Sequence, residues 1–184
     1  MLHGVDVSAH QSSFGTEGRS FAFVKATEGH TYVNPRQTEQ AKLARDAGLV
    51  VGFYHFLWPG HIRTQAEYFV TKCASRLGDM LAVDWETTED GTHASNAEKD
   101  EFIREVKRLR PHHHRVLLYT NRHYWLNVDR TSYAGDGLWI ADYVTAGEPR
   151  IEAKWRFHQY TDHPLDKNVA AFSSKAALRE WAEA

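Results

Sequence analysis

The chain has 184 residues, enough to bury a substantial core without covalent staples. Its formal net charge of -2 implies no strong field for a nucleic-acid partner, and its single cysteine, Cys73, excludes an internal disulfide framework. No apolar stretch approaches membrane-spanning length, so no membrane insertion is expected, and Met1 to Asp6 lacks the basic-then-apolar pattern of a signal peptide.

In chain order, short runs rich in Val, Leu, Phe, Trp and Tyr read as strands at 2–7, 21–26, 50–56, 80–86, 115–120, 137–143 and 155–161. A helix is predicted over 35–48, with Asn34 as N-cap, Pro35 at the first position and Gly48 as its stop. In 61–77, Ile62, Ala66, Phe69, Val70, Cys73 and Leu77 recur at helical spacing, which makes Cys73 a small buried helix residue. Phe102, Val106 and Leu109 mark a helix over 97–109, and a last one runs from Ser173 or Ser174 to Trp181. His112, His113 and His114 follow Pro111 in a solvated loop. This alternation predicts an α/β fold with a largely parallel sheet. No Gly-rich phosphate loop follows the first strand, which reads Ser8-Ala9-His10-Gln11-Ser12. Even strand spacing over the first two thirds and a strand-dense last third point to an irregular TIM-like β/α barrel with fewer helices than strands.

The sharpest local feature is Met80-Leu81-Ala82-Val83-Asp84-Trp85-Glu86, an apolar strand ending in two acids. Strand side chains alternate faces, so Asp84 and Glu86 share one, roughly 6–7 Å apart along the backbone. Leu81, Val83 and Trp85 then face the covering helices. Anions at the end of a buried strand are costly without a purpose or a partner, and in α/β barrels that end is where active sites form. Paired carboxylates suit glycoside cleavage, in which one donates a proton to the leaving oxygen and the other stays ionised to stabilise positive charge at the sugar carbon. Asp6 ends the first strand and can join them. Salt bridging or loop capping is the competing explanation for these acids. A metal site is the other, although the twelve histidines are scattered and form no H-x-x-x-H helix pair. We expect no metal and no cofactor.

Tyr54, Tyr119, Trp139 and Tyr143 lie at predicted strand ends, where they either pack in the core or contact a glycan. Lys25, also at a strand end, either balances charge inside the barrel or contacts substrate, and Gln159 could donate to a sugar hydroxyl.

These segments together resemble the glycoside hydrolase family 25 muramidases, across essentially the whole chain. The resemblance is carried by Gly4-Val5-Asp6-Val7-Ser8 with His10-Gln11, by Phe23-Val24-Lys25-Ala26-Thr27-Glu28-Gly29, and by Gly52-Phe53-Tyr54-His55-Phe56. It continues through Asp84-Trp85-Glu86, Tyr119-Thr120, Leu138-Trp139-Ile140-Ala141-Asp142-Tyr143 and Gln159-Tyr160-Thr161, followed by Asp166 and Asn168. The resemblance implies a single catalytic domain over 1–184, hydrolysing the β-1,4 bond after N-acetylmuramic acid in bacterial peptidoglycan. It implies Glu86 as proton donor, Asp84 as partner acid orienting the substrate's acetamido group, and Asp6 and Asp166 lining the same groove. It further implies a monomer acting on the cell wall, as a secreted enzyme or a phage lysin, without cell-wall-binding repeats. Two places depart from the family pattern: 161–166 is short where many relatives carry a Gly-rich hairpin, and Gln11 to Gly15 lacks the tryptophan often found there. Two other readings compete: a barrel that binds peptidoglycan without turnover, and a metal-dependent polysaccharide deacetylase or amidase.

Overall fold

A computed structural model describes residues 1–184. Its strands are β1 (Leu2–Val7), β2 (Phe21–Glu28), β3 (Tyr32–Val33), β4 (Val50–Phe56), β5 (Met80–Trp85), β6 (Val116–Asn121), β7 (Gly137–Ala141), β8 (Phe157–Thr161) and β9 (Lys167–Ala170). Its helices are α1 (Gln37–Asp46), α2 (Ile62–Lys72), α3 (Asn96–Leu109) and α4 (Lys175–Glu183), with a π-helical turn at Tyr124–Val128. The sheet runs β1-β9-β8-β7-β6-β5-β4-β2, and β1 pairs with β2 to close it into a barrel, β3 being a short hairpin appended to β2. All of the pairings around the barrel are parallel except those of β9, which runs antiparallel to both β8 and β1. The irregular barrel expected from the sequence is therefore present, with one reversed strand as its closing element.

Period-two alternation divides the strand residues between two cores. Phe21, Phe23, Val50, Tyr54, Met80, Ala82, Leu117, Tyr119, Trp139, Ala141, Phe157 and Ala170 fill the barrel interior. Two inward glycines make room for the largest rings: a Cβ at Gly4 would sit 2.5 Å from the Phe21 ring, and one at Gly52 would collide with Phe23. Phe23 and Trp139 stack at 4.1 Å between centroids. Val24, Phe53, Leu81, Val83, Trp85, Leu118 and Ile140 face outward, against the apolar sides of α1, α2 and α3. Helix α4 lays Leu178 and Ala182 against the interior cluster and closes the end away from the acids.

Several boundaries differ from expectation. Helix α1 begins at Gln37, and Asn34 does not cap it; its Oδ1 accepts the Arg36 N–H while its Nδ2 donates to the Lys25 carbonyl and Gln40. Helix α2 ends at Lys72, so Cys73 is its half-buried C-cap and Leu77 lies exposed in the next loop. Helix α3 starts where a full capping box holds it: Ser95 accepts from the Glu98 N–H and Glu98 accepts from the Ser95 N–H. His114 is buried, its Nδ1 bonded to the Asp79 carbonyl, which corrects the expectation of a wholly solvated triplet. Strand β9 adds to the strands expected from the sequence; it is only four residues long and opens on Lys167 and Asn168, which carry no apolar run. No helix is long and apolar enough to cross a membrane.

Candidate active site

Strand parity brings the acids to one end of the barrel interior. Asp6 from β1 and Asp84 from β5 share the inward face with Tyr54, Tyr119 and Trp139, near the C-terminal ends of their strands. Glu86 is one residue past β5, half-buried, and lines an open cleft of about 450 Å³ with Tyr119, Asn121, Arg122, Tyr124 and Tyr143. The strand end that presents it is firmly held. The Trp85 indole donates to the Ala94 carbonyl at 2.8 Å, the Thr120 hydroxyl donates to the Trp85 carbonyl at 2.7 Å, and Lys99 Nζ lies 5.3 Å from the centre of the Trp85 ring. Lys99 is itself fully buried between Asp100 and Asp129.

Asp84 is 8% exposed, and its Oδ1 has no hydrogen-bond partner among the protein's donors. Burial raises its pKa well above the ordinary carboxylate value, and the charge of Glu86 and a carboxyl–carboxyl hydrogen bond with it push the same way. Lys25 pulls the other way. Its Nζ is paired with Glu28 at 2.7 Å, which in turn accepts from the Trp58 indole at 2.8 Å. Asp6 is also held up, by burial first and then by the charge of Asp166 and a hydrogen bond shared with it. The pKa of Asp166 is raised by its own burial, although the bond from Asp6 opposes this. Two amides offset part of the burial of Asp6: Gln159 Nε2 and Asn168 Nδ2 each donate to its Oδ2 at 2.8 Å.

The sequence-predicted aromatics and amide separate into distinct roles. Trp139 is 1% exposed and donates through Nε1 to Asn168 at 2.7 Å, so it forms the floor under the acids and offers no face to a ligand. Gln159 is 2% exposed, accepting the Tyr119 and Tyr143 hydroxyls at 2.7 and 3.0 Å while donating to Asp6, so burial and these bonds hold it inside the barrel. Tyr54 and Tyr119 reach the surface only at their edges, and Tyr143 is exposed on the cleft wall. Lys25 Nζ is paired with Glu28 and lies 5.4 Å from the ring centres of Tyr32 and Phe56. Sequence reasoning assigned no role to Asn168 or Arg122. The period-two step from Asp166 to Asn168 is a signal that could have found the first; none marks the second.

Residues 5–169 match the profile of the glycosyl hydrolases family 25. The autolytic lysozyme of Clostridium acetobutylicum is 28% identical over 99% of this chain and 56% of its own length, so the chain spans little more than half of that relative. The N,O-diacetylmuramidase of a Chalaropsis species is 28% identical, with 72% of each chain covered. A family GH25 lysozyme from Aspergillus fumigatus superposes with a TM-score of 0.86 at 25% identity, covering 100% of this chain and 99% of the other.

Proposed function

This chain belongs to the glycosyl hydrolases family 25, and from that premise we propose that it hydrolyses the β-1,4 bond between N-acetylmuramic acid and N-acetylglucosamine in bacterial peptidoglycan. Glu86 is the general acid and Asp84 stabilises the reacting centre. One observation carries this reading: a buried carboxylate with an unpartnered oxygen, Asp84, beside a second carboxyl that opens on a cleft. A buried oxygen left unpaired costs about 1–3 kcal/mol, so the chain keeps this carboxylate at a stability cost beside the carboxyl that opens on the cleft.

Burial and the neighbouring Glu86 carboxyl both raise the pKa of Asp84, so Asp84 takes up a proton more readily than an ordinary aspartate. When the 2-acetamido N–H of a seated sugar donates to Asp84, Asp84 is stabilised as an anion and the proton is left to Glu86. Glu86 delivers it to the glycosidic oxygen, and the C–O bond breaks. Asp84, now ionised, faces the positive charge developing at the sugar carbon. Water supplies the hydroxyl of the new reducing end. Asp6 and Asp166 keep the neighbouring groove acidic, and the Tyr54, Tyr119 and Tyr143 hydroxyls orient the sugar from its rim. The relatives named as lysozyme and muramidase support the choice of substrate, and the site of action is then the bacterial cell wall.

Mass spectrometry of peptidoglycan digested by the purified protein tests the proposal. Fragments ending in reducing N-acetylmuramic acid are expected. Fragments ending in N-acetylglucosamine, or release of acetate or peptide without new reducing ends, would overturn it.

A further inference from the structure

The Glu86 cleft does not stop at Tyr143. Arg122 on its wall also lines a second, larger groove of about 790 Å³, so that side chain stands between the two hollows. The second groove lies between the π-helical turn after β6 and the loop after β7, with Trp125, Leu126 and Ile151 as apolar wall and Arg130 and Arg150 beside Arg122. These arginines are incompletely used. Arg122 spends Nε on the Arg150 carbonyl at 2.8 Å, and neither of its Nη groups bonds to protein. Arg130 donates only through Nη1, to the carbonyls of Asn127 and Asp129. Neither has a carboxylate partner, whereas Arg150 uses Nε and Nη2 on Asp142 and keeps Nη1 free. Asp129, the buried acid of the lining, is already paired with Lys99, and Glu152 is the exposed one.

We propose that this groove holds the peptide stem attached to the muramic acid, an inference that rests on the substrate class proposed above. A stem peptide alternates alanine methyls with free carboxylates and one diamino acid. The groove offers the matching sequence of surfaces: guanidinium N–H groups for the carboxylates, an aromatic and aliphatic wall for the methyls, and Glu152 for the amine. Arg122 lines both hollows, within reach of a stem that leaves a sugar seated next to Glu86. The groove therefore selects glycan that still carries its peptides over glycan that has been stripped.

The test compares glycan chains bearing stems with the same chains stripped by an amidase, together with an NMR titration of the soluble stem tetrapeptide that follows the arginine Nε–H signals. The wild-type protein is expected to show a kcat/KM about tenfold higher on the stem-bearing chains. Arg122→Gln and Arg130→Gln should each pull that ratio toward one, and the tetrapeptide should shift Arg122 and Arg130. Equal rates on both substrates with no peptide-induced shift overturn the stem groove and leave the glycosidase reading intact. Failure to cut either substrate overturns the glycosidase reading, and the titration alone then decides the groove: shifts at Arg122 and Arg130 support it, and their absence ends it.

Discussion

Asp84 and Glu86 are unequal partners: the first is sealed against the barrel interior with an oxygen that nothing in the protein satisfies, and the second, two residues on, opens on solvent. The buried member carries a stability cost. Its pKa is higher in the folded chain than in the unfolded one, so its contribution to stability is fully present only below the unfolded value of 3.8 and is lost as the pH rises through the folded value. Asp84→Asn removes the anion while keeping shape. It should raise the melting temperature at pH 7 by a few degrees, on the order of 1 kcal/mol, with a smaller gain at pH 4. It should also lower turnover on cell walls by on the order of 10²-fold, because a preorganised charge is gone. Paired thermal melts and turbidity assays read both; a variant less stable than wild type at pH 7 would show that the carboxylate is structural.

Glu86→Gln should act on the other side of that relationship. The amide fills the same space at a half-buried position and removes a charge that opposes ionisation of Asp84, so the melting temperature at pH 7 should hold or rise slightly. Proton donation is lost, and activity should fall by on the order of 10³-fold or more. Measuring release of reducing ends from purified walls checks this, and retention of a tenth of the activity would remove Glu86 from the acid's role.

How much of this site was legible depended on whether one strand sufficed to read it. Parity along Met80 to Glu86 placed Asp84 inward and Trp85 outward from seven residues alone, and the same rule placed Asp6. Gln159 could not be read that way. Its duties come from Asp6, Tyr119 and Tyr143, on three other segments as many as 153 residues away in sequence. Parity alone leaves Trp139 open between core and glycan for a related reason: in a closed barrel the inward face is itself a core, so an inward aromatic near a strand end can lie under the site instead of on it. The hairpin of β8 and β9 was hidden by its brevity, and with it the setting of Asp166 and Asn168.

That wiring makes Gln159→Leu informative. The substitution removes a donor from Asp6 and the shared acceptor from the Tyr119 and Tyr143 hydroxyls while keeping the bulk buried. Stability should fall by about 1–3 kcal/mol from the groups left unpaired. KM for glycan should rise more than kcat falls, because the loosened tyrosines line the groove and do not transfer the proton. Denaturant melts and steady-state kinetics separate the two effects; an unchanged KM would mean that Tyr143 does not meet the glycan.

Lys25 is expected to shift the acid side of the pH profile. Its charge lowers the pKa of Asp84, against the larger upward push of burial. Activity needs Asp84 ionised, so the rate should fall on acidification with a midpoint above that of an ordinary aspartate. Lys25→Met removes the opposing charge and should move that midpoint further up, leaving the alkaline side in place. A kcat/KM profile for wild type and variant decides it, and an acid limb that stays put would separate Lys25 from the site's electrostatics.

A second titration is built into the barrel wall, away from the acids. His55 is fully buried on the outward face of β4, stacked on Phe102 at 4.9 Å, with Nδ1 against the Thr27 hydroxyl at 2.7 Å and Nε2 against Gln65 at 2.9 Å. Burial lowers its pKa to about 4 from 6.5, despite the bond to Gln65. The folded protein thus binds the proton less readily than the unfolded chain. Its stabilising contribution is complete above pH 6.5 and is lost as the pH falls through about 4, to an extent of about 3 kcal/mol. Denaturant midpoints measured from pH 7.5 down to 4 should therefore decline, after subtraction of the carboxylate contributions seen in His55→Gln. The ring signal of His55 should stay at its neutral position in NMR spectra over most of that range. A His55 resonance titrating near 6.5 in the folded protein would mean that water reaches the ring, and that the contact between α3 and the barrel is looser than Phe102 and His55 make it.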